Sequence, residues 1–244
     1  MKVKEVGIIG YGRFGQVLGG IMDGDFTVQV FSHYPVETRK ESSIREATIE
    51  KAASCEAVFL SVQMSKFERS LKEVLPFLRP GSVVIDVCSV KLYPLRIMSE
   101  LLPVGVHMLP SHPMFGPDSI KNGLKDLPIV FCTEKTPPEI SAYWQGYFRS
   151  KGLKVVEMSA EQHDRTTAYS LCLTQYLGRI IGRMGVISTE IDMQSFKNLM
   201  QMKEISCNDS LELLQDLSTL NPYAKEMRNH LKKELLALDN LLDK

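Results

Sequence analysis

Apolar residues in the first two thirds of the chain form short runs, separated by polar segments and by stretches of helical period. These runs predict strands over residues 3–9, 26–32, 56–62, 82–90, 104–113 and 127–134. Helical spacing predicts helices over 12–22 and 67–78. The run at 82–90 is almost uninterrupted, which is typical of a parallel strand buried on both faces. Strands that alternate with helices predict an α/β fold, a doubly wound parallel sheet with helices on both faces.

The pattern changes near residue 158. From there onward the spacing is helical, and Pro222 is the only proline. The last segment is amphipathic, with apolar positions at Leu231, Leu235, Leu238, Leu241 and Leu242. We therefore predict an α/β domain over residues 1–157, followed by a smaller all-helical domain over 158–244.

Charge and cysteine content narrow the classes of function. Basic and acidic side chains balance at 29 each, so no overall field favours nucleic acid or a membrane surface as a partner. No apolar run approaches the roughly 18 residues of a membrane span. The five cysteines are scattered and never form a CxxC pair, which favours reduced thiols over disulfides or a metal site. Without a recognisable leader at the first residues, we expect a cytoplasmic protein.

Gly10-Tyr11-Gly12-Arg13-Phe14-Gly15 has the spacing GxGxxG, between a predicted strand and a predicted helix. In that context the glycines are a dinucleotide-binding fingerprint, because they permit a tight turn, a close approach to the pyrophosphate and helix packing on the strand. The helix start supplies free N–H groups for phosphate. We predict that these six residues bind a cofactor and that the α/β domain is of the Rossmann type. A glycine turn without a ligand is the alternative.

The end of the second predicted strand bears on which dinucleotide is bound. An NAD site usually has Asp or Glu there to bind the ribose 2′-hydroxyl. This chain has Ser32 and His33 instead, with Arg39 and Lys40 a few residues on. Ser32 can donate to a 2′-phosphate, and His33 can stack on adenine or pair with that phosphate. The pattern favours NADP over NAD, with ordinary loop residues as the alternative.

Further polar side chains follow the next strands. Ser61 and Val62 end one predicted strand, and Ser89 and Lys91 follow another. Because ligands bind beyond the carboxyl ends of parallel strands, we expect these residues to line the same crevice.

Residues 111–119, "SHPMFGPDS", contain two prolines and a glycine, and we predict an ordered loop that brings His112 to the same edge. A histidine with a pKa near neutrality can take a hydroxyl proton while hydride leaves the same carbon. We predict that His112 is the base and that Ser89 bonds the same hydroxyl or orients the imidazole. A solvated loop histidine is the alternative, whereas His107 is expected in a strand.

The segments "GYGRFGQ", "DVCSVK", "HPMFGPDS" and "VVEMSAEQHDRTTAYSLCLTQYLGR" resemble, in this order, the prephenate and arogenate dehydrogenases of tyrosine biosynthesis. The serine after the second strand is most similar to the plant-type arogenate branch, which uses NADP. The resemblance covers roughly residues 3–240. It implies hydride transfer from the ring of arogenate or prephenate to the nicotinamide, with loss of the ring carboxylate as carbon dioxide.

The resemblance also implies site residues and an assembly. His112 accepts the proton of the ring hydroxyl, Ser89 bonds that hydroxyl, and the helical domain pairs with its copy in a homodimer. Where members commonly carry a histidine near the substrate, this chain has Gln175. We include Gln175 and Lys91 among the expected substrate-binding residues. Arg179 and Lys203 are candidates for the arginine that many members use for the ring carboxylate.

Two other classes of protein are compatible with parts of this pattern. One is an NADP-dependent oxidoreductase of the two-domain β-hydroxyacid dehydrogenase or imine reductase type. Its catalytic lysine would lie early in the helical domain, but residues 161–185 contain no lysine. The other is a non-catalytic dinucleotide-binding homologue, which the glutamine at position 175 favours and the intact Ser89 and His112 oppose.

Overall fold

The computed structural model describes residues 3–36 and 41–243, except for the side chain of Asn122. The chain divides into two compact units, Met1–Ala160 and Glu161–Lys244. The sequence predicted a division after residue 157. Within the described ranges no helix has both the length and the apolar character needed to cross a membrane.

The first unit is built on one eight-stranded sheet. Its strands are β1 (Glu5–Ile9), β2 (Thr27–Phe31), β3 (Ile44–Glu46), β4 (Ala57–Leu60), β5 (Val83–Asp86), β6 (His107–Pro113), β7 (Pro128–Phe131) and β8 (Lys154–Glu157). The helices between them are α1 (Arg13–Met22), α2 (Ile49–Ala53), α3 (Phe67–Val74), α4 (Leu92–Leu101) and α5 (Pro138–Ser150). The helix predicted over 67–78 ends as a 3-10 turn at Leu75–Phe77, because Pro76 has no N–H to continue it.

The strand order is β3-β2-β1-β4-β5-β6-β7-β8, and every described pairing is parallel except that of β6 with β7. The Rossmann-type sheet predicted from the sequence is therefore confirmed, with one antiparallel pairing that the pattern did not predict. β3 and β8 were missed because they are three and four residues long and largely unburied. β5 is buried at all four positions, as the uninterrupted apolar run predicted.

Residues 111–113 belonged to two predictions: the strand over 104–113 is confirmed for them, and the loop over 111–119 was wrong at its beginning. Ser111, His112 and Pro113 are the last three residues of β6, and His112 lies opposite Val130 of β7. The prolines suggested a loop because they have no N–H for a ladder. A strand tolerates proline where that N–H is not required, as at the point where β6 changes partners. His107 begins β6, as expected.

An aromatic cluster around Trp144 fills the core between α5 and the sheet. Trp144 has no exposed surface, and its ring lies 5.1 Å from that of Phe59 and 5.9 Å from that of Phe26. Phe148, one turn further along α5, packs 6.2 Å from the same indole. Buried rings of this size contribute much of the hydrophobic stabilisation of a domain, so this cluster supports the sheet from one face.

The second unit is helical throughout, as predicted. Its helices are α6 (Ala160–Thr167), α7 (Leu173–Arg183), α8 (Gln194–Asn208), α9 (Leu211–Leu220) and α10 (Ala224–Leu242), and a π-helical turn at Ala168–Cys172 joins α6 to α7. α7 and α8 approach closely at Gly178, where an added Cβ would lie 2.4 Å from Oγ of Ser206. Asn221, before α10, donates from Nδ2 to the backbone oxygen of Asp164, 2.9 Å away, and so ties the two ends of this unit together.

Candidate active site

Five neighbouring strands end at one edge of the sheet, and the predicted site residues follow their ends. In the order β2, β1, β4, β5 and β6 all pairings are parallel, so all five carboxyl ends lie on the same side. The residues at this edge are, in spatial order, Ser32 and His33, Gly10–Gly15, Ser61 and Val62, Ser89–Lys91, and His112. Four strand spacings of about 4.8 Å separate the first of these strands from the last.

The glycine loop is shaped by close backbone contacts at Gly10 and Gly15. Gly10 has φ +92°, and an added Cβ there would lie 2.3 Å from the carbonyl oxygen of Ser61. A Cβ at Gly15 would lie 2.3 Å from the oxygen of Gly10. At Gly12, by contrast, no described atom lies within 4 Å of an added Cβ. The first and third glycines are thus required by the fold, whereas the second leaves an open approach to the backbone, as a bound pyrophosphate needs.

The start of α1 is suited to an anion. Its first turn carries no acidic residue, so the positive end of the helix dipole is not compensated there. Arg13 at this start donates to Oδ2 of Asp118 at 2.9 Å, and the ring of Phe14 lies 6.2 Å from that of Phe115. The loop after His112 is therefore attached to the glycine loop.

The side chain of Tyr11 packs against α1. An added Cβ at Gly19 would lie 3.0 Å from the hydroxyl of Tyr11, so the ring packs on α1. Partial burial, together with the charge of Asp23, raises the pKa of Tyr11. The side chain therefore supports the glycine loop.

At the end of β2, Oγ of Ser32 accepts the N–H of Tyr34 at 3.1 Å, which stabilises a turn beyond the strand. The ring of His33 lies edge-on to Phe31, with centroids 5.3 Å apart. Both side chains thus make a contact within the chain at the end of β2, the position from which a Rossmann domain binds the ribose of the dinucleotide. Arg39 and Lys40, the basic residues predicted to lie nearby, fall outside the described residues.

Lys91 lies at this edge but is fully buried, with no exposed side-chain surface. Its Nζ donates to Oδ1 of Asp86 and to the backbone oxygen of Ser111. Burial raises the pKa of the Asp86 carboxyl, and the Lys91 ammonium acts in the opposite direction. The prediction of Lys91 as a substrate contact does not fit this environment, because its ammonium bonds protein groups inside the sheet.

His112 itself is 4% exposed, and Ser89 is half-buried in the turn between β5 and α4. The turn is stabilised by Asp86, whose Oδ1 accepts the N–H of Cys88 at 3.0 Å. The prediction from the sequence did not include Asp86 and Ser111 among the site residues. A carboxylate within the buried run "VVIDV" was the signal that could have identified Asp86, because Asp is almost never fully buried unless paired.

Gln175 lies in α7 of the second unit and is 4% exposed. Its Nε2 donates to Oδ2 of Asp209 at 2.6 Å, while its Oε1 has no hydrogen-bond partner among the described residues. Arg179, one turn later, donates to the backbone oxygen of Asp209, and Lys203 donates to that of Val186 at 3.1 Å. The amide of Gln175 therefore keeps one acceptor that no described residue uses.

The chain is similar to known proteins over most of its length. Residues 38–157 match the family model "Prephenate dehydrogenase, nucleotide-binding domain", and residues 180–244 match "TYRAAT1-like, C-terminal domain". Arogenate dehydrogenase 1, chloroplastic, of Arabidopsis thaliana is 32% identical over 235 residues, which are 91% of this chain and 36% of that protein. Arogenate dehydrogenase 2, chloroplastic, of the same plant is 30% identical over 257 residues, 95% of this chain and 70% of that protein. The chain thus spans little more than a third of the length of the first relative.

Solved structures share the fold over nearly the whole chain. Prephenate dehydrogenase from A. aeolicus, in complex with hydroxyphenyl propionate and NAD+, has a TM-score of 0.78 at 17% identity and covers 99% of this chain and 91% of its own. Synechocystis arogenate dehydrogenase has a TM-score of 0.70 at 20% identity, over 98% of this chain and 93% of its own. At these identities the likeness is one of fold.

The open approach at Gly12 leads to a prediction that separates cofactor binding from folding. Gly12→Ala is expected to leave the free energy of unfolding unchanged but to weaken dinucleotide binding about tenfold, or about 1.4 kcal/mol, because its methyl group enters the phosphate path. Gly10→Ala is the matched variant, and it should destabilise the fold by about 1–3 kcal/mol through its strained φ. Urea unfolding and titration of NADPH fluorescence measure the two effects. Equal dinucleotide affinity in Gly12→Ala and the unmodified chain would contradict the prediction.

Proposed function

Because the chain belongs to the prephenate and arogenate dehydrogenase family, we propose that it is a dehydrogenase that oxidatively decarboxylates a cyclohexadienyl substrate of tyrosine biosynthesis. The substrate is arogenate or prephenate, which share the reacting ring and differ in the side chain. Family membership rests on the relative of which this chain covers 70% at 30% identity. The observation that best supports an activity is that His112 and the glycine loop lie at the same edge of the sheet.

The roles of the residues follow from their positions. The backbone of Gly10–Gly15 and the N-terminus of α1 bind the diphosphate of the dinucleotide, with Ser61 and Val62 beside them. When bound, the nicotinamide supplies the hydride acceptor. His112 takes the proton from the ring hydroxyl, and Ser89 bonds the same hydroxyl. A base this well buried acts in a medium of low dielectric, where its interaction with the hydroxyl is stronger than in water.

We propose NADP as the preferred dinucleotide. Ser32 at the end of β2 offers a hydroxyl in place of the carboxylate that would repel a 2′-phosphate. His33 beside it offers a ring for stacking. The coarser requirement, a nicotinamide dinucleotide, agrees with the nucleotide-binding family model over residues 38–157.

Two competing functions are less well supported. A dehydrogenase of the β-hydroxyacid type would carry its catalytic lysine early in the helical unit. This chain has no lysine in residues 161–185. A non-catalytic homologue is supported only by the glutamine at position 175.

We also retain the prediction of a cytoplasmic location, because all five cysteines are free thiols. Burial raises the pKa values of Cys55 and Cys172 to about 12, so these two thiols stay protonated.

Absorbance at 340 nm tests the activity directly. Protein mixed with NADP or NAD and with arogenate or prephenate should produce NADPH or NADH with at least one substrate. His112→Asn should lower kcat about a hundredfold to ten-thousandfold, because the base is lost, while NADP still binds. His107→Asn, at the other end of β6, is the control and should retain activity. Full activity of His112→Asn would remove this residue from the mechanism, and silence in all four mixtures would favour the non-catalytic homologue.

The cofactor preference has its own test at Ser32. Ser32→Asp should lower the ratio of kcat/KM for NADP to that for NAD by about tenfold, because the new carboxylate repels the 2′-phosphate and accepts from a 2′-hydroxyl. Ser32→Ala, which removes the hydroxyl without adding charge, is the matched control and should change the ratio less. An unchanged ratio in Ser32→Asp would place the 2′-phosphate elsewhere.

We further propose a homodimer formed through the helical unit. Every described side chain from Lys232 to Asp243 is exposed, including five leucines with 53–74% of their surface accessible, Leu235, Leu236, Leu238, Leu241 and Leu242. An isolated helical segment of this length is marginal in water and is usually stabilised by packing of its apolar residues.

Sedimentation velocity tests this assembly. The unmodified chain should sediment as a species of twice the 27.5 kDa mass of one chain. The double variant Leu235→Glu, Leu238→Glu should sediment as a monomer. Lys232→Glu, on the same exposed segment, is the control for added charge and should leave the assembly intact. A monomeric unmodified chain at micromolar concentration would refute the proposal.

A further inference from the structure

The backbone around His112 pairs with β7 on one side and is joined to β5 on the other side by side chains. β6 pairs in parallel with β5 up to Pro110, which lies opposite Asp86. From Ser111 onward the described pairing of β6 is antiparallel and is made with β7. The ladder to β5 ends here because Pro110 has no N–H to donate, so beyond it the β5 side of the strand is held by other contacts.

Three buried residues supply those contacts: Asp86, Lys91 and Ser111, which we call the Asp86 clamp. Ser111 donates from Oγ to the backbone oxygen of Asp86 at 2.7 Å. Lys91 donates from Nζ both to the backbone oxygen of Ser111 and to the Asp86 carboxylate. Asp86 and Lys91 have no exposed surface, and Ser111 has 1%. Ser111, the residue before His112, is therefore joined to the end of β5 both as a donor and as an acceptor.

The same carboxylate also stabilises the turn that carries Ser89. Oδ1 of Asp86 accepts the N–H of Cys88 at 3.0 Å, one residue before Ser89. A lone buried ammonium would place an unbalanced charge beside a base that must accept a proton. The paired carboxylate balances that charge and leaves two N–H donors of Lys91 for other acceptors. An apolar pair of equal volume would fill the space but would donate nothing to Ser111.

We propose that the Asp86 clamp is a positioning device that sets His112 and Ser89 relative to each other, in addition to joining β5 to β6. The inference rests on the proposed function, in which these two side chains act on one hydroxyl. Asp86, Lys91 and Ser111 touch neither substrate nor dinucleotide in this role. Their effect is exerted through the backbone of Cys88 and Ser111, where a displacement well below 1 Å alters the alignment of a base with its proton.

Ser111→Ala is the most informative variant, because it removes one hydroxyl and should leave the fold intact. We expect kcat to fall about tenfold, with KM for the dinucleotide within about twofold of the unmodified value. Ser141→Ala is the matched control, since Ser141 is also buried and donates to a backbone oxygen, that of Pro138, at 3.2 Å. The pair Asp86→Asn with Lys91→Met removes both charges together, and it should lower kcat at least as far.

A second measurement does not depend on turnover. The chain has five histidines, so ring carbon signals of labelled histidine can be resolved by NMR, and His112→Asn identifies the signal of His112. Ser111→Ala should shift that signal and leave the other four in place, whereas Ser141→Ala should shift none. If no substrate is turned over, a shifted His112 signal still supports the clamp, and the proposed function alone fails. An unshifted signal in folded Ser111→Ala, or a kcat equal to that of Ser141→Ala, would overturn the inference.

Discussion

Parallel pairing of the five strands from β2 to β6 is the constraint on which the rest of the structure depends. Parallel neighbours present their carboxyl ends at one edge, and backbone hydrogen bonds fix the spacing between them. The glycine loop, Ser61, Ser89 and His112 therefore share an edge although about a hundred residues separate the first from the last. No contact between these side chains is needed to bring them together. The apolar runs that bury β1, β4 and β5 thus determine where these residues lie.

The ion pair of Asp86 and Lys91 lies at this edge without any exposed side-chain surface. Removing Asp86 and Lys91 from water carries a large desolvation cost, which their mutual attraction offsets only in part. Hydrophobic residues of similar size would often stabilise a fold as well or better. The pair is therefore better explained by what its hydrogen bonds hold, the turn before Ser89 and the strand before His112, than by stability alone.

Gln175 is the residue of the helical unit at which this chain departs from the pattern of its family. This side chain is bonded to Asp209 through Nε2, which fixes the orientation of the amide. An amide can accept or donate a hydrogen bond but cannot carry the charge of an imidazolium. Position 175 therefore offers a neutral hydrogen-bonding group and no charge.

The amino-acid sequence by itself determined the strands with long apolar runs, the glycine fingerprint and the helical second unit. These signals are local: burial on both faces of β5 requires an uninterrupted run, and the turn at Gly10 requires a residue that adopts φ +92°. Only the tertiary structure decided between the strand and the loop that the sequence both predicted for His112, because the antiparallel neighbour β7 begins fifteen residues after β6 ends. It also decided that Lys91 is buried beside Asp86. The two charges lie five residues apart along the chain, but the contact of Lys91 with Ser111 depends on where β5 and β6 meet, and no periodicity along the chain predicts that contact.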